Sequence, residues 1–303
     1  MIRITYADGP IAEVEEGTTV LEASLRNGID HMHACGGDAR CTTCRIAVID
    51  GEERCPAPRE KEAEVLEMNG FSPPVRLACQ LRPAGDVTVR VLVRESAFQA
   101  LARPEGMARE LDVAVLFADI RGFTSFAEQK LPFDVLHVLN RYFDRMGTVV
   151  EFNGGRVISF QGDGMMCLFG IGGRRREAAV QAVTAGLQML DAVAVQAKYC
   201  AAHFALDLRV GVGIDFGRAV VGEVGYYRNT QLNAIGDVVN TAARVQELTK
   251  ETDAALLVTQ PVADRVARGF DLGPPIGVEI RGKAGRHNLY EVRGRAKAQG
   301  AKR

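Results

Sequence analysis

The sequence predicts an α+β fold in two domains, and three features support this. The chain has 303 residues, which is long enough for two hydrophobic cores. Hydrophobic residues make up 47% of it and charged residues 25%, an ordinary globular composition. Alternating strand patterns, tight-turn signals and helical periodicity are mixed along the chain, which favours hairpins packed with helices over a doubly wound sheet.

The first domain, residues 1–95, is predicted to be small and rich in strands. Thr19 followed by Glu22 forms a capping box, and Gly28 suits the end of a helix, so a short helix is expected between them. The predicted elements are strands at 2–7 and 11–15, a helix at 20–27, a strand at 45–49, an acidic helix at 58–69 and a strand at 87–93.

Residues 96–110 lack a clear period and are predicted to be a linker to the second domain, residues 111–295, which a basic tail at 296–303 follows. Gly162-Asp163-Gly164 is a strong hairpin signal. The predicted elements are strands at 113–120, 156–160 and 165–169, helices at 132–150 and 175–198, strands at 206–216 and 217–225 paired around a turn near Asp215–Gly217, helices at 237–249 and 261–268, and strands at 255–258, 276–280 and 288–292.

Four of the seven cysteines form a pattern: Cys35, five residues, Cys41, two residues, Cys44, and Cys79 after a further thirty-four residues. Three thiolates on one loop can surround an iron–sulfur cluster while a distant fourth completes the ligand set. A four-cysteine zinc site is the alternative, although structural zinc usually uses two short knuckles and this chain has one. Small residues in the loop let backbone N–H groups approach the sulfurs; they are Gly36, Gly37, Ala39 and Thr42.

Residues 1–95, including the loop ACGGDARCTTCRIAV and the segment RLACQ, resemble the [2Fe–2S] ferredoxins of β-grasp fold. The resemblance implies that the four cysteines bind a [2Fe–2S] cluster. The five-residue spacing is similar to that of vertebrate-type and bacterial relatives, and it leaves the reduction potential and the redox partner open. His31 and His33 are predicted to lie near the cluster or at the surface without binding iron. Cys55, Cys167 and Cys200 are expected to be small buried hydrophobic residues.

Two carboxylates stand out in the second domain. Asp119 ends an apolar strand and Asp163 lies at a hairpin tip. If the strands are neighbours, both side chains project from one sheet edge, where Mg²⁺ would relieve their repulsion. The segment after Asp119 supplies backbone N–H groups at a helix start, at Gly122, Phe123 and Thr124, a predicted cradle for phosphate.

Four segments occur in order: FADIRGFTSFAE, GGRVISFQGDGMMCLFG, LRVGVGIDFGRAVVGEVG and NAIGDVVNTAAR. Together, over about residues 109–293, they resemble the class III nucleotidyl cyclase catalytic domain. The resemblance implies a ferredoxin-like βαββαβ fold and a head-to-tail homodimer with shared active sites. It also implies that Asp119 and Asp163, assisted by the Ile120 carbonyl, bind two Mg²⁺ or Mn²⁺ ions.

The same resemblance implies that Asn240 and Arg244 steady the ribose and the transition state. Four residues apart on one helix, they share a face. Arg228 and Lys283, with Arg281 as an alternative, are implied to hold the phosphates. One subunit would supply the metal ligands and the other would supply Asn240 and Arg244.

Ser159 and Asn233 occupy the positions that select the base in the family, and they match neither the adenylyl nor the guanylyl pattern. Both side chains can donate and accept hydrogen bonds, so neither decides between the purines. The absence of a Glu that would bind the guanine edge favours ATP. A guanylate cyclase is the alternative.

Charge is distributed unevenly between the two halves. Residues 1–98 carry 11 Lys and Arg against 16 Asp and Glu, and residues 99–303 carry 26 against 22. The difference indicates either two independently soluble domains, or a polyanion-handling second domain beside an acidic electron carrier. No nucleic-acid-binding stripe, membrane-length apolar run or signal peptide is evident, so we expect a cytoplasmic location and neither nucleic-acid binding nor membrane insertion.

The sequence therefore predicts an adenylate cyclase that converts ATP to cyclic AMP, with the [2Fe–2S] domain as a redox regulator. Cyclisation moves no electrons, so the cluster is not expected to take part in it. The cluster as a purely structural element, a catalytically silent domain attached to an electron carrier, and a nucleotide-binding sensor without turnover are the alternatives.

Overall fold

The computed structural model describes residues 1–7, 9–93, 108–172, 177–226 and 229–296. The chain divides into two compact units that meet in the sequence near Arg109. Most of the predicted linker and nearly all of the predicted tail lie outside the described residues. The end of the predicted linker belongs instead to a long strand that begins at Arg109.

The described residues of the first unit form one five-stranded sheet and two α-helices. Its elements are β1 (Ile2–Tyr6), β2 (Ile11–Val14), α1 (Val20–Arg26), β3 (Arg45–Asp50), α2 (Glu60–Met68), β4 (Val75–Leu77) and β5 (Val87–Val91). The sheet order is β2-β1-β5-β3-β4, with β1 and β5 parallel at its centre. This is the predicted β-grasp arrangement; the short strand β4 was not predicted.

The predicted capping box starts α1. The Glu22 N–H donates to Thr19 Oγ1 over 3.1 Å, and the Thr19 N–H donates to Glu22 Oε2 over 2.9 Å. Gly28, with φ of 65°, adopts the left-handed conformation that ends a helix. Because its ends are fixed, α1 holds Val20, Leu21 and Ala23 in the core of the unit.

The second unit contains a larger sheet and five α-helices among the described residues. Its elements are β6 (Arg109–Ile120), α3 (Phe123–Gln129), α4 (Pro132–Phe152), β7 (Gly155–Gln161), β8 (Gly164–Phe169), α5 (Ala178–Phe204), β9 (Val210–Tyr226), β10 (Asn229–Ile235), α6 (Asp237–Thr252), β11 (Leu256–Thr259), α7 (Gln260–Val266), β12 (Phe270–Leu272), β13 (Ile276–Glu279) and β14 (Arg286–Arg295).

The main path of this sheet is β12-β14-β11-β9-β6-β8-β7, with β10 paired to β9 and β13 paired to β14. Strands β9-β6-β8-β7 with helices α4 and α5 form the predicted βαββαβ core. Successive residues of β6 face opposite sides of the sheet. Leu116 packs in the cluster that contains α4 and α5, whereas Val115 packs in the cluster that contains Val238 of α6.

The predicted turn near Asp215–Gly217 is wrong, because β9 runs without interruption from Val210 to Tyr226. The buried Asp215 carboxylate accepts hydrogen bonds from the Phe216 N–H over 2.8 Å and from Thr259 Oγ1 over 2.5 Å. An Asp-x-Gly sequence that usually marks a turn is thereby accommodated in a strand. The strand that pairs with β9 is β10, which was not predicted. The short strand β12 was also not predicted.

Helix α5 is long and apolar enough to cross a membrane by length and composition, with a mean hydropathy of 1.4 over its most apolar window. Its buried residues, including Val183, Met189 and Val193, lie in the main core of the second unit. A core helix of a folded domain meets the same criterion, and the packing of α5 is that of a core helix.

Candidate functional site

The two predicted metal-binding carboxylates lie together at one edge of the sheet, called here the carboxylate edge. Strands β6 and β8 are antiparallel with Ala118 opposite Met165, which places Asp119 beside the turn that holds Asp163. A Cβ on Gly164, the residue after Asp163, would lie 3.4 Å from Asp119 Oδ1, so the two carboxyl groups are close to each other. Burial, and then the neighbouring Asp119, raise the pKa of Asp163 to about 6. Two anionic groups in contact are a natural ligand pair for a hard divalent cation.

A lysine that the sequence analysis did not single out contacts this edge. Lys250 Nζ, in the last turn of α6, lies 3.2 Å from Asp119 Oδ2. Arg121 fixes this end of α6 close to β6: its guanidinium donates to the Thr249 and Ala254 carbonyls over 2.9 and 2.7 Å, and lies 3.2 Å from Asp253 Oδ1. Only the tertiary fold brings Lys250 to Asp119, so no local sequence signal could have revealed the contact.

Tyr142 of α4 lies beneath the carboxylate edge. It is completely buried, and its hydroxyl has no hydrogen-bond partner among the described residues. Burial, and then the negative charge of Asp119, raise its pKa well above the usual tyrosine value. The hydroxyl therefore remains a neutral donor close to a concentration of negative charge.

Asn240 and Arg244 lie one turn apart near the start of α6, with Asn240 exposed. A side chain built on Gly282 would come within 3.2 Å of Arg244 Nη1, so the loop between β13 and β14 touches the guanidinium. In the same loop, Lys283 Nζ lies 2.7 Å from Asp237 Oδ2 at the start of α6. We call Asn240, Arg244 and Lys283 the arginine face. Arg281 is exposed in the same loop, and Arg228 lies outside the described residues.

Two glycines of β9 allow α6 to lie directly against the sheet. A Cβ on Gly211 would lie 2.1 Å from Thr249 Oγ1, and a Cβ on Gly213 would lie 2.2 Å from the Gln246 backbone nitrogen. Gln246 Nε2 also donates to the Gly211 carbonyl over 3.3 Å. This contact fixes the distance of α6 from the sheet. It therefore also fixes where the helix presents Asn240, Arg244 and Lys250.

Within one chain, the carboxylate edge and the arginine face meet different turns of α6. Lys250, which contacts Asp119, follows Asn240 by ten residues. This corresponds to about 15 Å along the helix axis at 1.5 Å per residue. The described fold thus brings the predicted residues together in two groups, and among the described side chains no hydrogen bond or ion pair joins Asn240, Arg244 or Lys283 to Asp119 or Asp163.

The remaining predicted nucleotide-binding residues are spread over several elements. Ser159 is half-buried on β7, next to a bulge between Val157 and Ser159. Asn233 on β10 is also half-buried, and its Oδ1 accepts from the Ala234 N–H over 2.8 Å. The Ile120 side chain is buried, which leaves its carbonyl as the predicted ligand.

The predicted phosphate cradle begins at Gly122, which has a φ of 70° and precedes α3. The Phe123 ring is buried against Phe126, so only the backbone of Phe123 is available to a ligand. Thr124 is exposed in the first turn of α3. Arg209 has an exposed side chain, and its carbonyl accepts from the Arg121 N–H over 2.8 Å, which places it near the cradle. Arg209 was not among the predicted site residues.

In the first unit, the four predicted cluster ligands form two pairs. A hydrogen bond from the Cys44 thiol lowers the pKa of Cys79 to about 6. Burial raises the pKa of Cys41, but hydrogen bonds from Thr43 and then Cys35 outweigh it, so that this pKa is lowered. In the described part of the chain, no three His, Cys, Asp or Glu side chains converge as a metal site.

The loop around these cysteines has the geometry that sulfur ligation needs. Gly36, Gly37 and Ala39 all have positive φ, and a Cβ on Gly37 would lie 3.9 Å from Cys79 Cβ. Cys41 Sγ lies 3.1 Å from Thr43 Oγ1, and a backbone N–H from Ala39 reaches the Cys79 sulfur. Three thiols on one loop and a fourth, Cys79, after β4, with the Ala39 N–H aimed at the Cys79 sulfur, fit a [2Fe–2S] cluster, whose irons are held by thiolates and tuned by such hydrogen bonds.

Two buried networks support the ligands. His31 is 2% exposed; its Nε2 lies 3.2 Å from the Cys44 carbonyl, and its Nδ1 lies 2.8 Å from Ser24 Oγ. Arg76 forms a buried, two-pronged ion pair with Glu62, both contacts being 2.9 Å, in the strand that leads to Cys79.

The other histidine and the three remaining cysteines differ in how deeply they are buried. His33 is half-buried, with Nδ1 2.8 Å from the His31 carbonyl. Cys167 and Cys200 are fully buried, as predicted. Cys55 is only half-buried, because it lies at the end of a short 3₁₀ turn, where its thiol donates to the Gly51 carbonyl over 3.5 Å.

Comparisons with known proteins match both units. Residues 106–294 match the adenylate and guanylate cyclase catalytic domain, and residues 6–84 match the 2Fe-2S iron-sulfur cluster binding domain. An adenylate cyclase of Anabaena cylindrica is 32% identical over 192 residues, which cover 62% of this chain and 38% of that relative. The chain thus spans well under half the length of that relative.

Two solved structures share the fold of the second unit. The crystal structure of the guanylyl cyclase Cya2 is 26% identical with a TM-score of 0.59, covering 64% of this chain and 97% of that one. The adenylyl cyclase CyaB from P. aeruginosa is 25% identical with a TM-score of 0.57, covering 62% and 96%. With a family match over more than half of its length, preceded by a 2Fe-2S domain, the chain belongs to the class III adenylate and guanylate cyclase catalytic domain family.

Proposed function

We propose that the protein is an adenylate cyclase that converts ATP to 3′,5′-cyclic AMP and pyrophosphate in a homodimer, and that its 2Fe-2S domain regulates this reaction. The observation that carries the proposal is the contact between Asp119 and Asp163 within a cyclase fold. Two touching carboxylates, one with a pKa raised to about 6, suit two Mg²⁺ or Mn²⁺ ions. Bound there, the ions would supply Lewis-acid stabilisation of the negative charge at the reacting oxygens.

The reaction forms a bond between the ribose O3′ and the α-phosphorus and breaks the bond from that phosphorus to the β-phosphate oxygen. The hydroxyl proton is released and pyrophosphate leaves. In this proposal Asn240 orients the ribose, and Arg244 donates to the α-phosphate oxygens as charge accumulates on them. Lys283 and Arg281, in the loop beside Arg244, bind the outer phosphates.

The separation of the two groups along α6 supports a shared site. One chain holds the carboxylate edge and the arginine face apart, so a second copy would supply the missing half of each site. A head-to-tail dimer with two-fold symmetry would then contain two equivalent sites. On this proposal an isolated monomer is inactive.

The half-buried groups at the base-selecting positions support ATP over GTP. The guanine edge presents two N–H donors, which a carboxylate would accept, and neither Ser159 nor Asn233 is a carboxylate. Asn233 Oδ1 accepts from the Ala234 N–H, and the amide nitrogen of the same side chain is a donor that suits adenine N1. GTP is retained as the alternative because the relatives include a guanylyl cyclase.

The 2Fe-2S domain is proposed to sense reduction, oxygen or cluster loss and to alter the cyclase dimer, with Cys35, Cys41, Cys44 and Cys79 as ligands. Allostery of this kind requires two dimer states that the cluster state favours unequally. A separate redox protein would deliver the electrons. The cytoplasm, which supplies ATP, is the proposed location.

The test uses the full chain purified without oxygen, incubated with ATP or GTP and with Mn²⁺ or Mg²⁺, both oxidised and reduced with dithionite. Cyclic AMP formed at a rate that changes with the redox state is the expected result. Cyclic AMP formed at the same rate in both redox states would support the proposed cyclase activity and contradict its regulation by the cluster. Predominant cyclic GMP would establish the alternative substrate, and no cyclic product from dimeric protein would overturn the proposed activity.

A further inference from the structure

Lys250 places an ammonium group directly beside the carboxylate of Asp119. Its Nζ lies 3.2 Å from Asp119 Oδ2, its side chain is 53% exposed, and it also acts electrostatically on Asp163. Because the lysine stem is flexible and half in solvent, the ammonium group has room to withdraw. Among the described side chains, Lys250 is the one cation paired with the carboxylate edge.

The position of Lys250 is set by the packing of α6. Arg121, two residues after Asp119, binds the Thr249 and Ala254 carbonyls on either side of Lys250 along the chain. The contacts of Gly211 and Gly213 with Thr249 and Gln246 hold the same helical turn against β9. The ammonium group therefore extends from a fixed backbone toward a fixed carboxylate.

We propose that Lys250 is a positioning residue that acts as the counter-ion of Asp119 in the metal-free enzyme and competes with divalent cations for it. As a result, the site binds free metal weakly and fills when the metal arrives with the polyanionic nucleotide. This inference rests on the proposed metal role of Asp119 and Asp163. A lysine charge a few ångströms from a divalent ion repels it, and nucleotide phosphates offset that repulsion.

The experiment measures Mn²⁺ binding to nucleotide-free full-length protein from the electron paramagnetic resonance signal of free Mn²⁺. We expect Lys250→Gln to bind Mn²⁺ about 5- to 30-fold more tightly than wild type at low salt, and the gain to shrink as salt rises. Lys250→Met serves as a second neutral variant, and Lys250→Arg, which keeps the charge, should bind like wild type.

Two controls separate a local effect from a general one. Lys198→Gln removes the same charge from an exposed position on α5 and should leave Mn²⁺ binding unchanged. Adding Asp119→Asn to Lys250→Gln should abolish the gain. Affinities of Lys250→Gln and Lys250→Met within twofold of wild type would overturn the inference. So would a gain that Lys198→Gln shares or that survives Asp119→Asn.

The readout is independent of turnover, so the two proposals fail separately. Absence of cyclic nucleotide would remove the proposed activity while leaving the competition at Asp119 measurable. Normal cyclase activity with unchanged Mn²⁺ affinity in both neutral variants would remove only the role of Lys250.

Discussion

The carboxyl group of Asp163, at the turn between β7 and β8, lies close enough to the carboxyl group of Asp119, at the end of β6, for Asp119 to raise its pKa. Two strands of the sheet thus bring together groups that are 44 residues apart in the sequence. Two ionised carboxylates next to each other repel, and a shared cation or proton relieves that repulsion.

Asp119→Ala and Asp163→Ala should each lower cyclic nucleotide formation by more than about 100-fold, since each removes a group that the transition state needs. Neither change creates a core cavity, so circular dichroism and the unfolding midpoint should stay close to wild type. Near-wild-type turnover in either variant would show that the carboxylate edge is not the metal site.

Mixing two inactive variants should restore activity. Asp119→Ala damages one half of each site and Arg244→Ala the other, so a mixed dimer contains one intact site. With random exchange of subunits, about a quarter of the wild-type number of sites is expected. The measurement is the cyclisation rate of the mixture against each variant alone. A mixture that stays as inactive as its components, while exchange is verified by a tag, would argue against a shared site.

Cys79→Ala should abolish the visible absorption and the bound iron of the full chain, since one of four proposed thiolates is lost. Cys55→Ala is the matched control, because Cys55 lies in the same unit and contacts the Gly51 carbonyl. Equal iron content in wild type and Cys79→Ala would refute the proposed ligand set. Loss of iron in Cys55→Ala would show that Cys55 also belongs to the cluster ligands.

Asp215→Asn should stabilise the protein increasingly as the pH rises. Burial raises the pKa of Asp215, so the folded state binds its proton more tightly than the unfolded state. Stability from this group is therefore present at acid pH and is lost as pH rises through the folded pKa. Asparagine keeps the Oδ1 acceptor for Thr259 and Phe216. Unfolding midpoints of wild type and Asp215→Asn, measured from acid to alkaline pH, test this; a difference that shrinks with rising pH would contradict it.

Gly213→Ala and Gly147→Ala should change stability in opposite directions. A Cβ at Gly213 meets the Gln246 backbone nitrogen at 2.2 Å, so α6 must shift, at a cost of about 1–3 kcal/mol. A Cβ at Gly147, inside α4, finds Val157 Cγ2 at 4.0 Å, and alanine there should add about 0.5–1 kcal/mol. Denaturant unfolding of both variants measures the two free energies. A free energy of unfolding for Gly213→Ala equal to that of wild type would contradict the close packing of α6 on β9.

Local signals were sufficient for much of the fold. The Thr19–Glu22 capping box, the Gly162-Asp163-Gly164 hairpin and the helical periodicity of α4 all correspond to observed elements. The turn near Asp215 failed because the buried partner of the carboxylate, Thr259, lies 44 residues away in the sequence. The same limit applies to Lys250, whose contact with Asp119 spans 131 residues. The family resemblance indicated the site residues, but not the lysine that neutralises one of them.

The alternating glycines of β9 were a signal that could have been interpreted further. Glycine inside a strand often marks a close backbone approach, and Gly211 and Gly213 contact α6 in this way. Interpreted so, the sequence would have placed α6 directly on β9. It would still not have shown which side chain of α6 contacts Asp119.

Helix α6 carries Lys250 in its last turn, and Asn240 and Arg244 in its first half. In the proposed dimer, these two parts of the helix belong to two different active sites, so each helix is a shared component of both. A displacement of one helix along its axis would disturb the cation balance at one site and the transition-state contacts at the other. The two reaction centres would therefore be impaired or restored as a pair. A regulatory signal would need to move only one rigid element to control both.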